Sequence, residues 1–279
     1  LPICPDPIPG VEWADGIQFS GVRRCVLDHV SVSWASDETV DIFSSAEMTV
    51  QWCAIEESDT QGHPEGVHNY GMINGPAGGH ISIHHNLFAH HSRRCPAVSN
   101  GPADIRNNVV YDFRDGFLHD NAPNDKGYNI IGNYYKRGLE EATIYPFCFD
   151  GKTYYYLRDN YMHGRGPDYT GLIQDPWAEA SKRPGLQAYA NRGRKADKET
   201  PVPAVTTWPP QEAYELVLAQ AGCLPRDSVG RRTVREVRGG MGYYGRRAPA
   251  DLLAGMTYGQ RETDRDNDGM ADWWERTRG

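Results

Sequence analysis

The residues best suited to chemistry in this sequence are two arginines and two aspartates. Arg93 and Arg94 lie in the segment ISIHHNLFAHHSRRCPAV (81–98), where an alternating strand ends in an Asn and is followed by a basic turn. Asp37 and Asp41 lie in SDETVDIF. Guanidinium groups bind carboxylates through paired hydrogen bonds. The basic turn therefore predicts a surface for a polyanionic chain.

The two aspartates are candidates for a cation site. Because they are four residues apart, a strand would direct both carboxylates to one face. Asp15, in WADGIQF, would lie beside them one coil earlier in a repeating fold. Carboxylates on adjacent coils form a hard oxygen site that suits Ca²⁺ rather than Zn²⁺. The alternative is that all three are solvated surface carboxylates.

A second acidic motif, DRDNDGMADWWE over 264–275, matches a calcium-binding loop of the EF-hand type. Its predicted ligands at positions 1, 3, 5, 7, 9 and 12 are Asp264, Asp266, Asp268, Met270 through its backbone carbonyl, Asp272 and Glu275. Because no partner loop accompanies it, the motif favours a structural calcium site over a calcium sensor. The alternative is an acidic tail without order.

A repeat in the sequence predicts the strands that position these residues. Six strand-like segments alternate apolar residues, then carry two polar residues, and then reach an equivalent position occupied by Val30, Cys53, Asn86, Asn108, Asn133 and Asn160. Repeats of about 20–50 residues indicate solenoids. Short strands joined by Gly, Asn and Asp turns predict a parallel β-helix, an all-β fold. The four Asn side chains would form an internal ladder, unless they only mark turns.

The rest of the chain divides around this repeat. The longest spacing between equivalent positions of the repeat predicts a loop over 56–78, on the same side as the basic turn. Binding residues usually lie on such loops. Beyond residue 165 the repeat gives way to a Gly/Pro-rich stretch and a helix that follows Pro209 and Pro210 and stops at Gly222. We expect a β-helix region over 1–165 that lacks its N-terminal coils, a segment over 166–260 that packs along or caps it, and the calcium loop over 261–279.

Composition limits the classes of partner. The chain has 279 residues with 30 Gly, 19 Pro, 16 Tyr and a net charge of −8, which argues against nucleic acid. No apolar run approaches the roughly 18 residues of a membrane span, and no signal peptide is present, so we expect a cytosolic or a processed, secreted chain. The six cysteines form no CxxC pair, which leaves disulfides and free thiols both open.

Four segments resemble the pectate lyases of polysaccharide lyase family 1. They are VLDHVSVSW, DETVDIF, ISIHHNLFAHHSRRCP and IRNNVVYDF, and the resemblance covers about residues 11–165. The segment AYELVLAQAGCLPRD is similar to the C-terminal part of bacterial and fungal members.

The resemblance implies a right-handed parallel β-helix that cleaves polygalacturonate by β-elimination with Ca²⁺. It places the base that abstracts the C5 proton on Arg94 and the calcium carboxylates on Asp15, Asp37 and Asp41. Arginine is a difficult base, because its pKa above about 12 leaves almost none of it neutral at pH 7. The family meets this difficulty with a crowded cationic site and an alkaline optimum.

The sequence departs from the family in this cationic site. Ala97 and Ser99 stand where the family has further arginines, so we expect Arg93 to act as the clamp for a substrate carboxylate. The family's lysine has no clear match, and His68 is the nearest candidate. These departures imply altered specificity, weak activity or none.

The histidines raise zinc as an alternative. They are His63, His68, His84, His85, His90 and His91. Alternation predicts that His84 and His85 point to opposite faces, which disfavours a shared ion. We expect structural or substrate-contact roles instead, with substrate contacts for His68 and His91.

The sequence therefore predicts a secreted, monomeric, calcium-dependent lyase with an acidic polysaccharide as substrate, bound across residues 56–99, and with no nucleic-acid or membrane partner. Two alternatives remain. One is a β-helix glycoside hydrolase that uses carboxylates as acid and base. The other is a non-catalytic β-helix that binds polyuronates.

Overall fold

The chain forms three short strands in every repeat. The computed structural model describes residues 14–61, 63–119, 126–149, 153–164, 169–180, 195–245, 251, 263–266 and 271–278. In chain order the strands are β1 (Ile17–Ser20), β2 (Arg23–Asp28), β3 (Ser31–Ser33), β4 (Glu38–Phe43), β5 (Ala46–Gln51), β6 (Ala54–Glu56), β7 (Tyr70–Gly75), β8 (Gly79–His84), β9 (Leu87–Ala89), β10 (Ala97–Val98), β11 (Ala103–Arg106), β12 (Val109–Tyr111), β13 (Asp115–Leu118), β14 (Tyr128–Ile131), β15 (Tyr134–Lys136), β16 (Tyr145–Cys148), β17 (Tyr155–Arg158), β18 (Tyr161–His163) and β19 (Thr170–Leu172). The helices are α1 (Pro176–Ala180), α2 (Pro210–Gln220), α3 (Ser228–Gly239) and α4 (Asp272–Arg278).

Every third strand pairs in parallel, so the strands form three stacked sheets. The first sheet has the order β1-β4-β7-β10-β13-β16, the second β2-β5-β8-β11-β14-β17 and the third β3-β6-β9-β12-β15-β18, with β19 added antiparallel to β18. Each coil thus contributes one strand to each sheet. Crossovers between parallel strands of one sheet are right-handed in nearly all proteins. The fold is a right-handed parallel β-helix, as predicted.

A sharp turn joins the second and third sheets in each coil. The residue at this turn adopts the left-handed conformation in successive coils, with φ of 52° at His29, 49° at Trp52, 58° at His85 and 52° at Asn107. Its regular recurrence stacks these turns above one another. The bend splits each strand-like segment of the sequence into two strands, which alternation alone does not reveal.

The predicted asparagine ladder is confirmed. The buried Asn108 Oδ1 accepts hydrogen bonds from the backbone N and from Nδ2 of Asn86, both at 3.0 Å, and Asn108 Nδ2 donates to the Ile83 carbonyl at 2.9 Å. Asn133 and Asn160 repeat the pattern in the following coils. Each amide therefore satisfies a turn of its neighbour, and buried polar groups are stable only when so paired.

Apolar side chains fill the coil interior and a second core lies outside it. The interior cluster includes Val40, Ile83 and Phe117, each fully buried. Helix α2 is confirmed, although it includes Pro210, which the sequence predicts just before the helix. It packs its Val217 and Leu218 against the third sheet, where α3 joins it. Helix α1 lies against β16 at the last coil. The division of the chain into three regions stays a prediction.

Two features of the described residues bear on the cell environment. Of the helices in these ranges, none has the length and apolar character that crossing a membrane requires. Of the cysteines within them, Cys25, Cys53 and Cys95 are free thiols. Cys4 lies outside the described residues.

Candidate active site

The candidate residues gather on the outer side of the first sheet. Strand pairing sets their order, because β1 pairs with β4 in a register that aligns Gln18 with Asp41, and β4 pairs with β7 in a register that aligns Glu38 with Tyr70. A bridge then aligns Tyr70 with Arg93 on the next coil. The acidic residues of the first two coils and the basic residues of the fourth and fifth therefore lie along one surface.

The acidic end of this surface contains Asp15, Asp37 and Asp41, as predicted. The Gln18 amide donates to Asp15 Oδ2 at 3.1 Å and to Asp41 Oδ2 at 2.9 Å, so it joins the two carboxylates. Burial and the charges of Asp41 and Asp37 raise the pKa of Asp15 to about 7, although the nearby Arg94 lowers it in part. Burial also raises the pKa of Asp41.

Repulsion between neighbouring carboxylates adds to burial in raising the pKa values of Asp15 and Asp41. Glu38 adds a fourth carboxylate, and ligand atoms of Asp15, Asp37 and Glu38 lie within 4.8 Å of one another. A divalent cation would relieve this repulsion, and an all-oxygen donor set is the one that Ca²⁺ prefers. The residues at the acidic end therefore fit a calcium ion.

Two histidines from the loop between β6 and β7 hold Asp37. His68 Nδ1 lies 2.7 Å from Asp37 Oδ1, and His63 Nε2 lies 3.7 Å from Asp37 Oδ2. The two imidazole rings stack with centroids 3.4 Å apart. The long loop that the sequence predicts thus reaches the acidic end, where His68 orients a carboxylate.

Arg94 lies at the centre of the surface and is held from two sides. Its guanidinium forms an ion pair with the Glu38 carboxylate, and its Cζ lies 4.2 Å from the centre of the Tyr70 ring, a cation–π contact. The Arg94 side chain is 23% exposed. It therefore remains accessible to a molecule lying on the first sheet.

The basic end consists of two arginines on one buried carboxylate. Arg114 Nε and Nη2 donate to Asp115 Oδ2 at 3.1 and 3.0 Å, and Arg93 Nε lies 3.4 Å from the same oxygen. Asp115 is fully buried, whereas the side chains of Arg93 and Arg114 are about one third exposed. Asp115 accordingly fixes two guanidinium groups that face solvent, a suitable surface for anionic groups.

Two curated relatives are similar in sequence to most of this chain. A probable pectate lyase C from Aspergillus terreus is 31% identical over 276 residues, which cover 94% of this chain and 61% of that protein. A probable pectate lyase C from Aspergillus fumigatus is 28% identical over 237 residues, covering 82% of this chain and 52% of that protein. This chain is similar in sequence to these probable pectate lyases. It spans about three fifths of the length of the first relative and about half of the second.

Solved structures of the same kind show a partial likeness. A pectate lyase from Bacillus sp. N165 in complex with trigalacturonate has a TM-score of 0.45 and 16% identity, covering 72% of this chain and 60% of that one. A pectate lyase studied for its substrate specificity and anti β-elimination mechanism has a TM-score of 0.49 and 14% identity, covering 75% and 53%. No family model matches the sequence.

The contacts that four residues make at the candidate site were not predicted from the sequence. These residues are Glu38, Tyr70, Arg114 and Asp115. A usable signal exists for the last two, because RDG (114–116) follows its strand as the Arg93–Arg94 turn follows the strand one coil before. Glu38 and Tyr70 gave no such signal, since their roles arise only when coils stack.

His91 does not lie on the outer side of the first sheet with the other candidate residues. It is fully buried, with Nδ1 2.7 Å from Ser58 Oγ and Nε2 2.9 Å from the Ile55 carbonyl. Burial lowers its pKa to about 3. The prediction of a substrate contact for His91 is wrong, because its neighbours on the coil turn it inward.

The expected separation of His84 and His85 is also wrong. Strand β8 ends at His84, and His85 occupies the left-handed turn, so alternation stops between them. Their Nδ1 atoms lie 2.8 Å apart, with Trp52 stacked on the His85 ring. A neutral pair of imidazoles satisfies this contact as one donor and one acceptor.

The acidic tail is described only in part. Asp272 begins α4, accepts a hydrogen bond from the Arg265 backbone at 2.9 Å, and donates its own N–H to the Thr263 carbonyl. Asp264, Asp266 and Glu275 lie in the described ranges, whereas Asp268 and Met270 lie outside them. The two ends of the loop are thus joined, and calcium binding there stays a prediction.

Proposed function

We propose that this protein is a calcium-dependent lyase that cleaves a polyuronate such as pectate by β-elimination. The observation that carries the proposal is the alignment of a carboxylate cluster, an accessible arginine and two further arginines along one sheet. The curated relatives named pectate lyase support it. We also propose that the protein is secreted and acts as a monomer.

Each end of the surface has its own task in this mechanism. Asp15, Asp37 and Asp41 would hold calcium at the acidic end. The chemistry that calcium supplies when bound is neutralisation of a uronate carboxylate, which makes the adjacent C5 proton more acidic. Arg93 and Arg114 would bind further carboxylates of the polymer and so fix its position along the sheet.

Arg94 would accept the C5 proton. Its place between the carboxylates and the paired arginines supports this role, because the base would then lie next to the sugar whose carboxylate is neutralised. Ala97 and Ser99, which stand where the family has additional arginines, are both buried here. Arg114 brings a guanidinium to the site from the next coil, which compensates for that departure.

The geometry disfavours an inverting hydrolase. That chemistry needs carboxyl groups about 6.5–9.5 Å apart to leave room for water. One carboxylate oxygen from each of Asp15, Asp37 and Glu38 lies within 4.8 Å of the other two. This spacing suits a shared cation better than an acid and a base on opposite faces of a sugar.

The test is ultraviolet absorbance during incubation with polygalacturonate at alkaline pH, with calcium or with EDTA. Elimination leaves a conjugated, absorbing double bond, whereas hydrolysis does not. We expect a calcium-dependent rise that Arg94→Ala lowers by about a hundredfold to ten-thousandfold, the range that a general base typically contributes. Arg158→Ala, on the second sheet, is the control and should retain activity.

Three other outcomes would contradict the proposal. New reducing ends without absorbance would indicate a hydrolase. Binding of the polymer without turnover, unchanged in Arg94→Ala, would indicate a non-catalytic polyuronate-binding protein. A rise that persists in Arg94→Ala would place the base on another residue.

A further inference from the structure

Glu38 lies between the two functional halves of the candidate site. It is only 6% exposed. Its carboxylate forms the ion pair with Arg94 on one side and lies within 4.8 Å of ligand atoms of Asp15 and Asp37 on the other. Its backbone N–H donates to Asp15 Oδ1 at 3.1 Å, which fixes it beside the cluster. One side chain is therefore within reach of both the base and the cation ligands.

The ion pair holds Arg94 in a state unsuited to proton abstraction. A guanidinium bonded to a buried carboxylate is stabilised as a cation. It is also restrained, because Glu38 contacts it from one side and the Tyr70 ring covers it at 4.2 Å. A base must be able to reach the proton that it removes, and it must have an uncharged nitrogen that can accept this proton.

A cation at the acidic end offers Glu38 a different partner. Arg94 forms the ion pair with Glu38, and its charge also lowers the pKa of Asp15 in part. A divalent ion carries twice the charge of the guanidinium and accepts six to eight oxygen ligands when it is Ca²⁺. Glu38 is close enough to join them.

We propose that Glu38 is a positioning residue that restrains Arg94 until a divalent cation binds, and that the cation releases Arg94 by drawing Glu38 to itself. This inference rests on the proposed role of Arg94. It makes formation of the base depend on prior cation binding. The enzyme would thereby avoid unproductive binding of an anionic polymer to a site without its metal.

The test uses the chemical reactivity of Arg94 rather than catalysis. Phenylglyoxal modifies free guanidinium groups, and mass spectrometry of the peptides distinguishes Arg93, Arg94 and Arg114. On addition of Ca²⁺ to the wild-type protein, we expect modification of Arg94 to accelerate by roughly tenfold, as one charge-assisted hydrogen bond is lost. Arg93 and Arg114 are internal controls, because Asp115 holds them with or without the cation.

Two variants separate the restraint of Arg94 by Glu38 from the binding of the cation. In Glu38→Gln, Arg94 should react rapidly without Ca²⁺ and respond little to it. In Asp41→Asn, which weakens the acidic site but leaves the tail loop intact, the response of Arg94 to Ca²⁺ should disappear. The wild-type comparison needs no substitution, so the proposal remains testable even if Glu38→Gln folds poorly.

The outcomes distinguish this proposal from the proposed function. Calcium-dependent elimination that requires Arg94, together with Arg94 reactivity unchanged by Ca²⁺, would overturn the role of Glu38 and leave the lyase intact. Arg94 reactivity that rises with Ca²⁺ in a protein without elimination activity would support the coupling and overturn the lyase. Slower modification of Arg94 with Ca²⁺ would contradict the release of Arg94.

Discussion

At the scale of single residues, the acidic end contains a carboxyl that titrates near neutrality. The pKa of Asp15 is raised to about 7, first by burial and then by the charges of Asp41 and Asp37. A carboxyl must lose its proton to bind a metal, so protons and cations compete for this position.

We expect the affinity of this site for Ca²⁺ to fall by roughly tenfold per pH unit below about pH 7, where Asp15 becomes protonated. Calorimetric titration with calcium at several pH values measures this affinity. Asp15→Asn is the matched variant and should bind weakly with little pH dependence over the same range. An unchanged affinity in the wild-type protein from neutral pH down to about pH 5 would contradict the raised pKa.

At the scale of elements, the asparagine ladder connects the coils. Asn108→Leu keeps the volume of the side chain but leaves the Asn86 N–H and the Ile83 carbonyl without their partner. We expect a loss of about 2–4 kcal/mol in the free energy of unfolding, because buried polar groups without hydrogen bonds are costly. Urea denaturation measures this change.

The matched control for the ladder is Asn100→Ala. The Asn100 side chain is partly exposed and donates to the Pro76 carbonyl at 2.6 Å. Water can replace that bond, so the cost should stay below about 1 kcal/mol. Equal losses at both positions would show that the ladder gives no special stability.

Helix α3 is joined to the third sheet by a charged cluster centred on His90. His90 Nδ1 lies 2.8 Å from Asp112 Oδ2 and Nε2 lies 3.2 Å from Glu236 Oε2 on α3. Burial opposes the charged imidazole, but hydrogen bonds with Asp112 and Glu236 outweigh it and raise the pKa of His90 to about 9. The cluster therefore holds α3 most strongly when His90 is protonated.

The sign of the resulting pH dependence follows from the raised pKa. The stabilisation is fully present below about pH 6.5, the usual value, and is lost as the pH rises through about 9. We expect the free energy of unfolding to fall across this interval and expect His90→Gln to remove most of that fall. His29→Gln, at an exposed histidine, is the control. A wild-type stability that rises toward pH 9 would contradict the prediction.

At the scale of the whole molecule, charge is divided along the surface of the first sheet. A net charge of −8 opposes an anionic polymer, and the arginines of the fourth and fifth coils counter this locally. Calcium would do the same at the first two coils. Under the proposed function, the protein would use two kinds of cation, arginine side chains and a metal ion, to hold its substrate.

The acidic tail predicts a second calcium site with a structural task. We expect the chain to bind two calcium ions, and Asp266→Asn to reduce this number to one while leaving elimination from polygalacturonate unchanged. Calorimetry and metal analysis of the dialysed protein count the ions. Asp41→Asn should show the reverse pattern, one ion and no activity. A single ion bound by the wild-type protein would overturn one of the two sites.

The sequence by itself determined the coiled architecture, because the repeat and its asparagines directly specify the hydrogen bonds between coils. It also indicated the carboxylates Asp15, Asp37 and Asp41, since stacking coils bring equivalent positions together. Helix α2 was equally readable from Pro210 and the apolar residues that follow. These features depend on local pattern and on period alone.

Only the tertiary structure decided what surrounds these residues. Alternation did not show that the left-handed turn brings His84 and His85 together or that His91 points inward. The register between coils depends on loop lengths, and it is this register that places Glu38 and Tyr70 on Arg94 and joins Arg93 to Arg114 through Asp115. Contacts between residues one or two coils apart follow from stacking in space, which a one-dimensional pattern does not encode.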